Sequence, residues 1–105
     1  MSRLNQKPVL HLIQNSIAND DFEKQITRLV SAQDNIIFMG DATFQLKSLE
    51  RSIKANSLSV YAIDAELSAR SINHFSKTNN EKSIKIIDFE QFVDLSIDSD
   101  KVVSW

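Results

Sequence analysis

Two histidines, His11 and His74, supply the only imidazole groups in the 105-residue sequence and are the first candidates for acid–base or metal chemistry. His11 has apolar neighbours on both sides, which favours a packed, hydrogen-bonded ring over a general base or a metal ligand. His74 begins a polar segment, where we expect it to be solvated. Neither histidine has a second histidine or a cysteine at the spacing of a metal site, so we predict no bound metal.

Cysteine is absent from the sequence. A disulfide and a thiolate metal site are therefore excluded, and so is the transfer of sulfur as a cysteine persulfide on this chain. No serine lies in a G-x-S-x-G turn, and residue counts alone do not support a catalytic triad. We predict that the chain has no catalytic residue and is not an enzyme.

Gly40 and Asp41 follow the second predicted strand, at the position where open α/β sheets bind ligands. Gly40 is the only glycine, whereas a phosphate-binding loop of the G-x-G-x-x-G type needs several. A structural role is favoured, in which Gly40 allows the turn from strand to helix and Asp41 caps that helix. The alternative, a small-ligand or nucleotide-binding module that acts alone, has weaker support, and we predict no cofactor.

Acidic side chains are densest near the end of the sequence. Asp94, Asp98 and Asp100 lack the spacing and the glycine of an EF-hand loop, which indicates a solvated helix end. Carboxylates at the C-terminal end of a helix oppose its dipole. Lys101, or a basic group of a partner, would offset them.

A basic stripe, formed by Lys47, Arg51 and Lys54, lies beside an apolar stripe of a predicted helix. Three positive charges, on a chain with a net charge of −2, make a small footprint for a phosphate backbone. We interpret the stripe as a solvated face and do not expect direct contact with nucleic acid.

Strands and helices alternate along the predicted chain. Apolar runs and periodic stripes predict strands at 9–13, 36–39, 58–63, 84–87 and 101–104, and helices at 22–30, 42–53, 65–72 and 89–97. Three helix starts are indicated, by Asp20 with Glu23, by Asp64, and by Asp88 with Gln91. The expected buried faces are Phe22, Ile26, Leu29 and Val30; Ala42, Leu46, Leu49 and Ile53; and Phe89, Phe92, Val93 and Ile97. The polar segment 73–83 is predicted to be a loop.

Alternating strands and helices predict an α/β fold with a mostly parallel sheet and helices on both of its faces. One glycine and one proline provide too few tight turns for an all-β protein. The length and the 42% hydrophobic content predict one domain, residues 1–105. No apolar run approaches the length of a membrane span, and no targeting segment is evident, so we expect a cytoplasmic protein without membrane contact.

Three blocks of sequence carry a family resemblance. Residues 84–95 join an apolar strand to a capped helix and are followed by Val102–Trp105; residues 10–13 form an early strand; and residues 60–72 join a tyrosine-bearing strand to a helix that ends in Ala-Arg. In this order and spacing the blocks resemble the DsrH/TusB family of sulfur-relay subunits.

The resemblance implies a three-layer α/β/α fold with a five-stranded, mostly parallel sheet. It also implies a non-catalytic subunit of a TusBCD-like complex that supports 2-thiouridine synthesis at the tRNA wobble position. The implied partners are homologous TusC-like and cysteine-bearing TusD-like sister subunits, in a heterohexamer; the small basic stripe separately makes direct tRNA contact by this chain the weaker expectation. Some DsrH proteins carry a cysteine in the helix after the first strand, and this sequence has none.

Four residues are candidate interface or structural anchors, namely Gly40, Asp41, Tyr61 and Trp105. Trp105 is the only tryptophan, and a large aromatic ring at a chain end is ordered only when it buries area. Its host is either the core of its own domain, which we favour, or a subunit interface. An obligate subunit exposes an apolar patch, so we expect self-association when the chain is expressed alone.

Overall fold

Five parallel strands form one sheet in the computed structural model, which describes residues 7–72 and 84–105. The strands are β1 (Leu10–Ile13), β2 (Asn35–Phe38), β3 (Ser59–Ile63), β4 (Ile84–Ile87) and β5 (Val102–Ser104). Their order across the sheet is β4-β3-β2-β1-β5, and every neighbouring pair is parallel. The five predicted strands are confirmed, each boundary lying within one residue of the prediction. The predicted loop 73–83, with His74, lies outside the described residues.

Four α-helices flank this sheet in the described part of the chain: α1 (Asn19–Leu29), α2 (Leu46–Ala55), α3 (Asp64–Ala69) and α4 (Phe89–Ile97). A 3₁₀ helix, Gly40–Gln45, leads directly into α2. The predicted three-layer α/β/α architecture is confirmed. Within residues 7–72 and 84–105, no helix has the length and apolar character needed to cross a membrane.

The two faces of the sheet are covered unequally. Helices α1, α2 and α3 lie on one face, where Phe22, Leu49 and Leu67 share a core with strand residues. Of the helices in the described residues, only α4 lies on the other face, where Phe92 and Leu95 pack against a second, smaller core. We call these the three-helix face and the α4 face.

The central strands are buried on both sides. Ile36, Ile37 and Phe38 of β2 are completely inaccessible to solvent, although successive side chains point to opposite faces. Such a strand must be apolar at every position, which is why the continuous apolar runs predicted a parallel sheet correctly.

Helix α4 returns the chain from the edge strand β4 to the opposite edge, where β5 pairs with β1. Five strands span about 19 Å, whereas one helix is only about 10 Å across. Within the part of the chain that the structure describes, this single helix therefore leaves some of its sheet face uncovered. Leu12, Met39 and Tyr61 are only partly buried on that face for this reason.

Of the four α-helices in the described part of the chain, α4 alone begins with a side-chain cap. The capping box of α4 is confirmed: the Gln91 amide N–H donates to Asp88 Oδ1 (2.8 Å), and the Asp88 N–H donates to Gln91 Oε1 (2.9 Å). The predicted Asp20 cap is wrong, because α1 begins at Asn19 after Ala18, which makes no side-chain cap bond. The Asp64 cap is also wrong, because β3 runs straight into α3 and Ile63 holds the cap position.

The apolar stripes predict burial correctly on α2 and incompletely elsewhere. All four stripe residues of the second predicted helix are buried, although Ala42 belongs to the 3₁₀ helix. Leu29 of α1 is half exposed, since it lies at the end of the helix. On α4 the prediction is wrong for Phe89, Val93 and Ile97, which are exposed, while Phe92 and Leu95 face the sheet.

Removing the α4 cap tests how firmly that helix is held on its face. We expect Asp88→Ala to lower the free energy of unfolding by about 1 kcal/mol, because the Gln91 N–H loses its acceptor. Urea unfolding followed by far-UV circular dichroism measures the change. Asp20→Ala is the matched control, since Asp20 lies in a first helical turn without a cap bond; an equal loss there would contradict the cap interpretation.

Candidate functional site

His11 is almost completely buried in β1, with 2% of its surface exposed. Its Nε2 atom lies 3.0 Å from Oδ2 of Asp34, which is equally buried and precedes β2. The same carboxylate accepts the backbone N–H groups of Val9 and Ser31, each at 3.0 Å. Asp34 thereby ties the segment before β2 to β1.

Trp105 completes this polar chain from the opposite side of the imidazole. Its indole Nε1 lies 3.1 Å from Nδ1 of His11. An indole N–H can only donate, so Nδ1 is the acceptor and the ring proton lies on Nε2, which donates to Asp34. Both ring nitrogens are occupied, which confirms the prediction of a packed, hydrogen-bonded histidine. We call this arrangement the Asp34–His11–Trp105 chain.

The Trp105 ring packs on the three-helix face of its own domain. It meets His11 edge-on at a centroid distance of 5.8 Å and lies 6.0 Å from the ring of Phe22, which in turn lies 6.0 Å from Phe38. The Trp105 backbone N–H donates to the Leu12 carbonyl at 3.0 Å, continuing the pairing of β5 with β1. These contacts place the ring on its own core rather than on a free surface.

Gly40 lies at the carboxyl edge of the sheet, immediately after β2. Its φ of +54° is a left-handed conformation that strongly favours glycine, and an added Cβ would lie 3.1 Å from the Gln14 carbonyl oxygen. Its N–H donates to Oε1 of Glu66 at 2.6 Å. The conformation and the close approach both explain why the only glycine of the sequence stands here.

Asp41 does not cap the following helix, contrary to the prediction. The cap position is Met39, which makes no side-chain bond, because the 3₁₀ helix already begins at Gly40. Asp41 Oδ1 instead accepts a hydrogen bond from Nε of Arg70 at 3.3 Å, and Arg70 also lies 3.7 Å from Glu66. These residues line a polar cleft of about 320 Å³.

Glu66 decides what this cleft can bind. Its carboxylate already accepts the Gly40 N–H at the start of the 3₁₀ helix, where a bound anion would otherwise receive that hydrogen bond. Arg70, the nearest cation, is already shared between Asp41 and Glu66. The geometry therefore opposes the nucleotide-binding alternative. Sequence reasoning missed Glu66 and Arg70; their i,i+4 spacing on α3 was the available signal.

Tyr61 lies on β3 and faces the α4 side of the sheet, where it is partly buried. Lys85, its register neighbour on β4, holds its Nζ atom 6.0 Å from the centre of the tyrosine ring. The ring lines a cleft of about 220 Å³ between the sheet and α4, which we call the α4 cleft.

The charged clusters remain at the surface. Lys47, Arg51 and Lys54 are exposed, and so are Asp94, Asp98 and Asp100. No ion pair within the described ranges involves the three aspartates, so the expected offset by Lys101 is not formed. No group of three His, Asp or Glu side chains among the described residues is placed to hold a metal ion.

Comparison with protein-family models gives a match. A family model described as DsrH like protein matches residues 15–102, which begin two residues after β1 and end at the first residue of β5. The matched region contains residues 60–72 and 84–95, whereas residues 10–13 and 103–105 lie outside it. A search of curated proteins finds no match.

Truncation of Trp105 separates its hydrogen bond from its packing. We expect Trp105→Phe to lower the free energy of unfolding by about 1 kcal/mol, because it keeps a ring but removes the N–H donor to His11. Trp105→Ala should cost about 3 kcal/mol through lost packing. Urea unfolding followed by circular dichroism measures both values.

Phe44→Ala is the matched control for the tryptophan variants, because Phe44 is an aromatic residue with 60% of its surface exposed and should contribute little. Retention of each variant by the sister subunits is measured in parallel. Unchanged unfolding of Trp105→Ala together with lost retention would place the ring at a subunit interface and contradict its docking on the chain's own core.

Proposed function

The chain belongs to the DsrH-like family of sulfur-relay subunits, and on that premise we propose that it is the non-catalytic member of a TusBCD-like complex. In this proposal the complex accepts persulfide sulfur from an upstream carrier and supports 2-thiouridine synthesis at the tRNA wobble position in the cytoplasm. A TusD-like sister subunit supplies the cysteine. With a TusC-like subunit, the three chains form a heterohexamer that contains two copies of each.

The observation that carries this proposal is the absence of cysteine from a chain of this family. Relay of sulfane sulfur needs a thiolate that attacks a persulfide and becomes the new persulfide. Neither the buried imidazole of His11 nor any carboxylate can perform that exchange. A sulfur-relay subunit without a thiol can therefore contribute only surface and geometry.

The arrangement of the polar residues supports a scaffold role. His11 has both ring nitrogens bonded, and Glu66 occupies the backbone donor of Gly40, so neither group is open to a substrate. Large apolar side chains are exposed instead, among them Phe89 and Ile97. Exposed apolar area of this kind is typical of subunits that bury it against partners.

The chain should acquire no sulfur in a reconstituted relay. We expect intact-mass spectrometry to show its unmodified mass after incubation with a cysteine desulfurase, cysteine and the upstream carrier, because it has no thiol. The cysteine-bearing sister subunit in the same mixture is the positive control. A stable adduct of one sulfur atom on this chain would contradict the proposal.

Deletion of the gene should lower wobble 2-thiouridine although the protein performs no chemistry. If this chain holds the cysteine-bearing sister subunit in a competent geometry, then loss of this chain disables the cysteine site of the sister subunit. Mass spectrometry of nucleosides from purified tRNA measures the modification, with a plasmid copy of the gene as the rescue control. Normal thiolation in the deletion strain would overturn the scaffold role.

A further inference from the structure

Helix α4 exposes an apolar ridge, formed by Phe89, Val93 and Ile97, which are spaced four residues apart. Their exposed fractions are 57%, 41% and 67%, whereas Phe92 and Leu95 on the other side of the helix pack on the sheet. Large apolar side chains aligned at helical spacing form a continuous strip and not scattered contacts. Among residues 7–72 and 84–105, no side chain buries this strip.

The apolar surface extends beyond the helix to the edge strand. Val102 of β5 is 47% exposed, and it stands in register with Leu10, whose side chain belongs to the core of the α4 face. Neighbours in register point to the same side of a sheet. Val102 therefore adds apolar area on the face that α4 covers.

An acidic row runs beside the ridge, formed by Glu90, Asp94 and Asp98. Each follows a ridge residue by one position, so the row has the same four-residue spacing, and all three side chains are exposed. Like charges at this spacing repel one another, and carboxylates near the helix C-terminus oppose its dipole. No Lys, Arg or His side chain in the described ranges forms an ion pair with the row.

The α4 cleft opens at the acidic row. It has a volume of about 220 Å³ and is lined by Tyr61, Ile87, Gln91, Asp94, Leu95 and Asp98. Two carboxylates can pair with a cationic head and the two aliphatic side chains suit its methylene stem, whereas Lys85 Nζ already lies 6.0 Å from the centre of the Tyr61 ring. This combination matches a long basic side chain, and arginine best, because its planar head pairs with carboxylates through two parallel hydrogen bonds.

We propose that α4 is the docking surface for a sister subunit that presents an apolar strip flanked by lysine and arginine side chains, one of which enters the α4 cleft. The inference rests on the proposed function and specifies the surface through which this chain assembles. Charge complementarity identifies the occupant, because the acidic row is unfavourable alone and becomes favourable only beside basic groups.

A second copy of this chain fits the surface less well. Its basic stripe, formed by Lys47, Arg51 and Lys54, lies on α2, in the layer on the other side of the sheet from α4. Contact between α4 of one copy and α2 of the next would join different surfaces head to tail, which produces rings or open chains of copies. Binding of a basic sister subunit covers α4 without producing rings or open chains of copies.

Two pairs of substitutions test the docking surface in the full-length chain. Asp94→Asn with Asp98→Asn removes the charges and keeps the side-chain shape, and Val93→Ser with Ile97→Ser removes the apolar contact. The matched control is Asp20→Asn with Asp21→Asn, which removes two exposed carboxylates from α1. The purified sister subunits are immobilised on a sensor surface, and the affinity of each variant for them is measured by surface plasmon resonance at low and at moderate salt.

We expect both α4 pairs to weaken binding by about tenfold or more, with the control pair within about twofold of the wild type. Only the asparagine pair should also flatten the salt dependence, because it removes the charges that salt screens. In the isolated chain the asparagine pair should raise the melting temperature, since repulsion along the acidic row is relieved. If the two aspartates had a merely structural role, their substitution would instead lower the melting temperature.

The outcomes separate this inference from the proposed function. If the wild-type chain binds the sister subunits and both α4 variant pairs bind with unchanged affinity, the inferred docking surface is wrong and the proposed function still stands. Failure of the wild-type chain to bind the sister subunits would overturn both. Loss of self-association in the serine pair, with sister binding intact, would show that the ridge joins copies of this chain and would also overturn the inference.

Discussion

The hydrogen-bonded Asp34–His11–Trp105 chain is the constraint on which the sheet depends. It joins positions 23 and 94 residues apart in sequence, and so connects β1 to the segment before β2 and to the end of β5. The three groups have compatible roles, because an indole only donates, a carboxylate only accepts, and an imidazole does one of each. Strand β5 has only three residues, and the tryptophan gives it a buried attachment that its short pairing with β1 alone would not provide.

The sequence predicts those parts of the fold that depend on local pattern. The strands were found because a strand buried on both faces is apolar at every position, as in Ile36–Phe38. The cap of α4 was found because Asp88 and Gln91 interact with each other locally. The orientation of α4 does not follow from the pattern, because both apolar rows of the helix recur every three or four residues and only the sheet decides which row is buried.

In the candidate site, too, some features follow from the sequence and others depend on contacts that only the fold creates. The position of Gly40 at the carboxyl edge follows from chain order, but its partner Glu66 comes from a helix that only the strand order brings alongside. The burial of His11 could be expected from its apolar neighbours, whereas its two partners could not, because neither is close in sequence. The absence of a thiol needs no structure, and it contributes most to the functional conclusion.

The placement of β5 beside β1 has a consequence for how the protein is made. On the ribosome, β1 emerges long before the strand that completes its other edge, since His11 and Trp105 are 94 residues apart. At typical elongation rates this interval lasts roughly 5 to 20 seconds. During that time Phe22 lacks its tryptophan cover and the N–H and C=O groups of β1 present an open edge. The nascent chain therefore passes through a stage with an aggregation-prone edge, which only the arrival of β5 closes.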